Sequence, residues 1–204
     1  RAKPLLAMPY VPHVFLSADQ DLPSFPELGF DELAGIYDAA HATDCKLRRS
    51  VTGLMIMYCK AAVAYKSRLQ TVTATSSTEA EFYAGITCAK MLRYLRSILS
   101  ELGFLKEGPS RCFTDNIANI NIVNDMKPTP RTRHIEIQHF AIQSWREAGE
   151  IIMEHLAGKI NPSDDLTKAL AWALHGRHSQ RAMGHYGPPL APFDEASDLH
   201  QVFY

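Results

Sequence analysis

The sequence predicts an α/β domain in which a mixed sheet carries helices on both faces. Three observations lead there. The elements read in the order strand, hairpin, helix, strand, helix, helix, strand, helix. A long segment from Thr78 to Leu102 places Phe82, Ile86, Ala89, Leu92, Leu95, Leu99 and Leu102 at steps of three and four, the period of a helix with one apolar side. No proline, which breaks both ladders and helices, falls between Glu27 and Gly108.

Glu32 to Asp38 reads as a short strand ending in an acid. Val51 to Tyr58 is rich in β-formers, Cys59-Lys60 suits a tight turn, and Ala61 to Lys66 completes a hairpin. The Thr78–Leu102 helix meets Gly103, a residue suited to ending it. Arg111 to Thr114 is a strand running into Asp115, and Ile117 to Val123 is helical. His134 to Glu147 is a second amphipathic helix, with Ile137, Phe140, Ala141 and Trp145 on one side. Ile151 to Leu156 is a strand, and Asp164 to Leu174 a final helix.

Proline also sets the limits of the compact part. Five of the twelve prolines lie in the first 26 residues and three more follow Gly187. The expected organisation is an irregular lead-in over 1–30, a core domain over 31–172, and a basic helix with a flexible tail over 173–204. The chain opens on Arg1 and is expected to be a piece of a longer protein.

Of the 204 residues, 46% are hydrophobic, enough for one real core, which excludes wholesale disorder. The net charge of −1 excludes a strongly basic nucleic-acid coat protein, though not an enzyme with a local basic patch. No run of apolar residues is long enough for a transmembrane helix, and residues 1–10 lack the pattern of a signal peptide. The four cysteines contain no C-x-x-C pair and read as free thiols.

Four acids recur at element ends: Asp38, Glu81, Asp115 and Asp164. Carboxylates gathered at one sheet edge repel unless cations lie between them, and hard oxygen ligands suit magnesium or manganese. Each acid alone has a plainer reading. Thr78 and Glu81 match a T-x-x-E capping box, Asp115 and Asp164 could each cap a helix, and Asp38 could lie in a loop.

The series RRSVTGLMIMY, AVAYKSRLQ, ATSSTEAEFYAG, FTDNIANI, PTPRTRHIEIQHFAIQ and INPSDDLTKAL spans roughly 35–172. In content and order it resembles the ribonuclease H region of copia-type LTR retrotransposon Pol polyproteins. The resemblance implies a ribonuclease H-like fold, a five-stranded mixed sheet flanked by helices. It implies catalytic, metal-holding acids in the order Asp, Glu, Asp, Asp, which fall on Asp38, Glu81, Asp115 and Asp164. The Glu is the second in S-S-T-E-A-E, and the D…D…E order of the integrase fold does not fit. Around the first acid the chain departs from the family's S-D-A-D-W-A-G-D, with Ala40 and His41 standing for the second Asp and the Trp. No Y-x-D-D polymerase run occurs.

The activity so implied is hydrolysis of the RNA strand of an RNA/DNA hybrid with two Mg²⁺ ions, or Mn²⁺, roughly 4 Å apart, one activating water and one stabilising the leaving 3′ oxygen. Asp38 would bridge both, Asp164 would complete the water-activating site, and Glu81 with Asp115 would hold the other. Ser76, Ser77 and Asn116 are candidate contacts to the ribose 2′-OH, with helix capping as their alternative role. Between Asp44 and Gln70, Lys46, Arg48, Arg49, Lys60, Lys66 and Arg68 face one acid, a patch for phosphates or a solvated surface, and Lys127, Arg131 and Arg133 add to it. Lys90, Arg93 and Arg96 read as an exposed face of the long helix.

His175, His178 and His185 match no zinc spacing and read as part of a basic surface helix or tail. His134 receives no catalytic role, and neither does His155. The implied partners are the RNA/DNA hybrid and the polymerase portion of the same polyprotein, in a cytoplasmic retrotransposon particle or the nucleus, with no membrane. Against the enzyme stands an inactive or domesticated remnant that binds nucleic acid or a protein partner. Four intact acids favour the enzyme.

Overall fold

Residues 24–125 and 136–185 are described by a computed structural model. Five strands form one sheet in the order β3-β2-β1-β4-β5. They are β1 (Ala34–Ala40), β2 (Val51–Tyr58), β3 (Ala61–Leu69), β4 (Ser110–Thr114) and β5 (Ile151–His155). The first three pair antiparallel, while β1–β4 and β4–β5 pair parallel. The mixed sheet expected from the sequence is therefore present. Cys59 and Lys60 join β2 to β3 with φ of 52° and 64°, the doubly left-handed backbone of a tight hairpin turn.

The helices are α1 (Ser77–Glu101), α2 (Ile117–Asp125), α3 (Glu136–Glu147) and α4 (Trp172–Ala182). Strand alternation sends Gly35 and Tyr37 of β1 toward α1. A Cβ on Gly35 would stand 2.5 Å from Cys88 Sγ, and one on Gly85 would stand 2.9 Å from the Tyr37 ring. These glycines let α1 lie close on the sheet. The core on this side holds Tyr37, Leu54, Ile56, Phe82, Ile86, Leu92, Cys112 and Ile142. Ala34 and Ile36 face the other way, into a second core with Phe25, Leu28, Met57, Phe113, Leu156 and Ile160. Phe25 and Leu28 belong to the lead-in, so part of that segment packs on the sheet.

Four expectations need correction. The first strand begins two residues later, at Ala34, and runs to Ala40, so Asp38 lies within it. No helix runs from Asp164 to Leu174. A 3-10 turn over Pro162–Leu166 stands there, capped by the Asn161 side chain on Ser163 N at 3.0 Å. It stops where Thr167 and Lys168 turn their side chains onto carboxylates, and α4 starts afresh at Trp172. The buried side of α3 is not the Ile137–Phe140 side, for Ile137 is 85% exposed and Phe140 is exposed too. His139 takes the inner seat, because its ring stacks on Phe82 and its Nε2 meets Ile122 O at 2.9 Å. Finally, α4 is not a free surface helix. His178 is buried beside Asp165, and Ala182 packs on the second core.

Smaller departures follow the same logic. Leu102 ends α1 exposed rather than buried. Arg93 binds Glu150 and lies 4.6 Å from the Trp145 ring centre, and Arg96 donates to Ser110 Oγ at 2.8 Å. Both tie α1 to neighbouring elements rather than facing solvent freely. The cysteines carry free thiols, as expected, among the described residues. No described helix is long and apolar enough to cross a membrane.

Candidate active site

Three of the four predicted acids meet at the end of the sheet where β1 and β4 finish. Asp38 comes from β1, Glu81 from the second turn of α1, and Asp115 from the residue after β4. One carboxylate oxygen from each lies within 4.8 Å of the other two. Parallel pairing of β1 with β4 brings Asp38 and Asp115 to the same edge, and α1 enters from the side.

Glu81 is free for this because the cap is elsewhere. The T-x-x-E reading is off by two residues. Ser76 is the N-cap, its Oγ accepting from Glu79 N at 3.1 Å, while Glu79 accepts from Thr75 N and Oγ1 at 2.6 Å each. Glu81 Oε1 instead accepts from Ala39 N at 3.1 Å, next to Asp38 on the strand.

Asp164 stands in the 3-10 turn beneath β1 and β2, outside the group of three. A lysine joins it to Asp38. Lys168 Nζ lies 3.1 Å from Asp164 Oδ2 and 3.6 Å from Asp38 Oδ2. Thr167 donates its hydroxyl to the same Asp38 oxygen. Sequence reasoning missed both residues. Their signal lay in N-P-S-D-D-L-T-K, where Asp164 and Lys168 are four apart. It also missed two glycines. A Cβ on Gly53 would come within 2.8 Å of Ser163 O, and one on Gly158 within 2.9 Å of Asp115 Oδ2. Both leave room for the acid-bearing turn or the acid itself.

Burial governs the electrostatics. Asp38, Glu81 and Asp164 are 3%, 6% and 8% exposed. Burial, then the Asp38 and Asp115 charges, push Glu81 up to about 9 against the opposing Ala39 N–H. Burial and Asp38 push Asp164 up to about 6, with Lys168 resisting. Asp115 rises for the same two reasons, opposed by Lys168 and His155. Burial lowers the pKa of Lys168, but Asp38, Asp164 and Asp115 outweigh it, and the ammonium is held above its usual value. Glu81 Oε2 and Asp164 Oδ1 are buried with no hydrogen-bond partner among the described residues. An acid cluster with orphaned oxygens and only hard donors fits divalent ions of the magnesium class.

The predicted nucleic-acid contacts divide. Ser76 is exposed, yet its Oγ is committed to the cap, and Ser77 beside it is exposed. Asn116 Oδ1 accepts from Asn119 N at 3.2 Å, which is a capping role at α2. Arg48 and Arg49 lie in the β1–β2 loop, which leaves β1 at the Asp38 end. In the sheet, Asp38 faces Gly53, which faces Ser67, and Arg68 follows in the next row. Two strand spacings put the Ser67 and Arg68 backbone about 10 Å from that of β1. Lys66 lies half-buried on the same edge strand. Arg131 and Arg133 lie outside the described residues, as do Lys127 and His134.

Comparison with known proteins bears on this geometry. Over 138 residues the chain is 30% identical to the retrovirus-related Pol polyprotein from transposon TNT 1-94 of Nicotiana tabacum, a match covering 68% of this chain and 10% of that one. The chain is a homologue of retrotransposon Pol polyproteins. A second, from transposon RE2 of Arabidopsis thaliana, is 25% identical over 134 residues, covering 66% of this chain and 9% of that protein. The Pol-related chain thus spans about a tenth of the length of these curated relatives. Among solved structures, LC11-RNase H1, isolated from compost, superposes with a TM-score of 0.50 at 15% identity, covering 67% of this chain and 93% of that one. The fold is the ribonuclease H fold. No protein-family model matches the chain.

Proposed function

We propose that the chain is an RNA–DNA hybrid ribonuclease that hydrolyses the RNA strand during retrotransposon reverse transcription, within a cytoplasmic particle. The observation that carries the reading is the convergence of Asp38, Glu81 and Asp115 on one point, with Asp164 beside it. Asp38, Glu81 and Asp115 would hold one divalent ion, Mg²⁺ or Mn²⁺, and Asp38 with Asp164 a second. Bound there, such ions activate water and stabilise the leaving 3′ oxygen.

The protein groups do the rest. Ala39 N–H aims Glu81 at the cluster, and Thr167 fixes one Asp38 oxygen. Arg48 and Arg49, in the loop that leaves β1 at the Asp38 end, supply positive charge for the phosphates, and Lys66 and Arg68 add to it from the other face of β3. Ser77 is the exposed hydroxyl nearest the start of α1 that is available for a ribose contact. The polymerase portion of the same polyprotein is the expected partner.

The test is a labelled RNA/DNA hybrid incubated with the chain and Mg²⁺, Mn²⁺ or chelator, beside Asp115→Asn. Cutting of the RNA strand alone, dependent on metal and lost in Asp115→Asn, is expected. Hybrid binding by the folded chain without any cutting, in the presence or absence of the polymerase portion, would replace the enzyme reading with a binding remnant.

A further inference from the structure

We infer that Lys168 is a resident counter-cation that occupies the second ion position, so that the chain alone takes up one divalent ion and admits a second only when Lys168 leaves. The inference rests on the metal-dependent reading above.

An ordinary ion pair between residues four apart would engage one carboxylate. Lys168 engages two, on different elements, at 3.1 Å and 3.6 Å. The three acids that share a point within 4.8 Å do not include Asp164. Asp164 is tied to Asp38 through the ammonium instead. An ion bridging Asp38 and Asp164 would take the place that Nζ holds. Two cations at such a separation repel by several kcal/mol even where the surroundings screen strongly, so occupancy is exclusive. Among the described residues Lys168 pairs with Asp38 alone of the group of three, which leaves Glu81 and Asp115 for a first ion. Lys168 also has a way out, since its side chain is 48% exposed while those of Asp38 and Asp164 are 5% and 11% exposed. The carboxylates stay and the lysine can swing to solvent. Asp164 Oδ1, buried and without a hydrogen-bond partner among the described residues, is left for the ion that replaces it.

Mn²⁺ titration of the full chain, read by electron paramagnetic resonance, tests this without any activity measurement. The unaltered chain should bind one ion per molecule before a much weaker second. Lys168→Met should bind the second about tenfold tighter or more, and Lys168→Arg should behave as the unaltered chain. Lys168→Met should also gain more melting temperature from Mn²⁺ than the unaltered chain. Two ions bound equally by all three proteins would overturn the role of Lys168 and leave the nuclease reading standing. No ion bound by any of them would overturn the metal-dependent reading itself. Should Lys168→Met not fold, the unaltered chain with ¹³C-methylated lysines decides the matter. The Lys168 signal must shift chiefly with the second equivalent of Mg²⁺, and a shift confined to the first equivalent, or none, overturns the inference.

Discussion

Glu81 Oε1 accepts the backbone N–H of Ala39 at 3.1 Å, so the carboxylate that α1 contributes is anchored to the strand residue next to Asp38. The helix cannot shift along the sheet without moving an acid. This single bond couples the packing of α1 to the geometry of the cluster.

The same carboxyl makes stability depend on pH. Its folded pKa of about 9 lies above the ordinary value of 4.5, and Asp164 is raised from 3.8 to about 6. Between the unfolded and folded values the native state holds more protons than the unfolded chain. Stability is therefore greatest at the acid side of that window and falls as pH rises through it, by at most about 1.4 kcal/mol per unit for each group. Urea denaturation in chelator at pH 6, 7 and 8 should show this fall. In Glu81→Gln the slope between pH 7 and 8 should flatten. An unchanged slope would mean that Glu81 is ionised in the folded chain.

Gly53→Ala should damage the site from a distance. The new methyl would meet Thr167 Cγ2 at 2.5 Å and Ser163 O at 2.8 Å, and a backbone oxygen cannot step aside as a side-chain tip can. A loss of about 1–3 kcal/mol is expected, with the turn that carries Asp164 pushed off the sheet. Thermal melting and Mn²⁺ binding should fall together. A fully stable variant with unaltered ion binding would show that the turn yields freely.

The cap of α1 can be located by a pair of substitutions. Ser76→Ala should cost about 1 kcal/mol, because it removes the oxygen that accepts from Glu79 N. Thr78→Ala should stay within about 0.5 kcal/mol. The reverse ranking in denaturant titrations would restore Thr78 as the cap and put Glu81 back among the capping residues.

Hybrid binding should depend on salt through the cations of the β1–β2 loop and of β3. Removing one phosphate contact lowers the slope of log K against log salt by roughly 0.7–0.9. Arg48→Ala and Arg68→Ala should each do so, whereas Lys90→Ala, exposed on α1, should not. Equal slopes for all three would place the hybrid elsewhere on the surface.

Much of this was legible in the chain. Val51–Tyr58 appears where its β-formers put it, and α1 begins and ends within one residue of its periodic run. The order and flanks of Asp38, Glu81, Asp115 and Asp164 singled out four residues from many acids. What stayed hidden was decided by tertiary partners. His139 is buried in place of Ile137 and Phe140 because a ring face and a carbonyl await it, which no period reveals. Ser76 and Thr78 are equally plausible caps on paper, and Glu79 chooses between them. Nothing in the sequence set Lys168 apart, since its second carboxylate lies 130 residues earlier in the chain.

The four acids come from β1, α1, the end of β4 and a turn beyond β5, so the cluster is written across nearly the whole domain. As the ribosome extends the chain, Asp38 emerges first and waits, with β1 lacking its parallel neighbour, until β4 has been made. Asp164 arrives last, and Lys168 four residues after it. The newborn chain thus acquires its final carboxylate and the cation that covers it almost together, and scarcely passes through a stage in which that carboxylate stands bare.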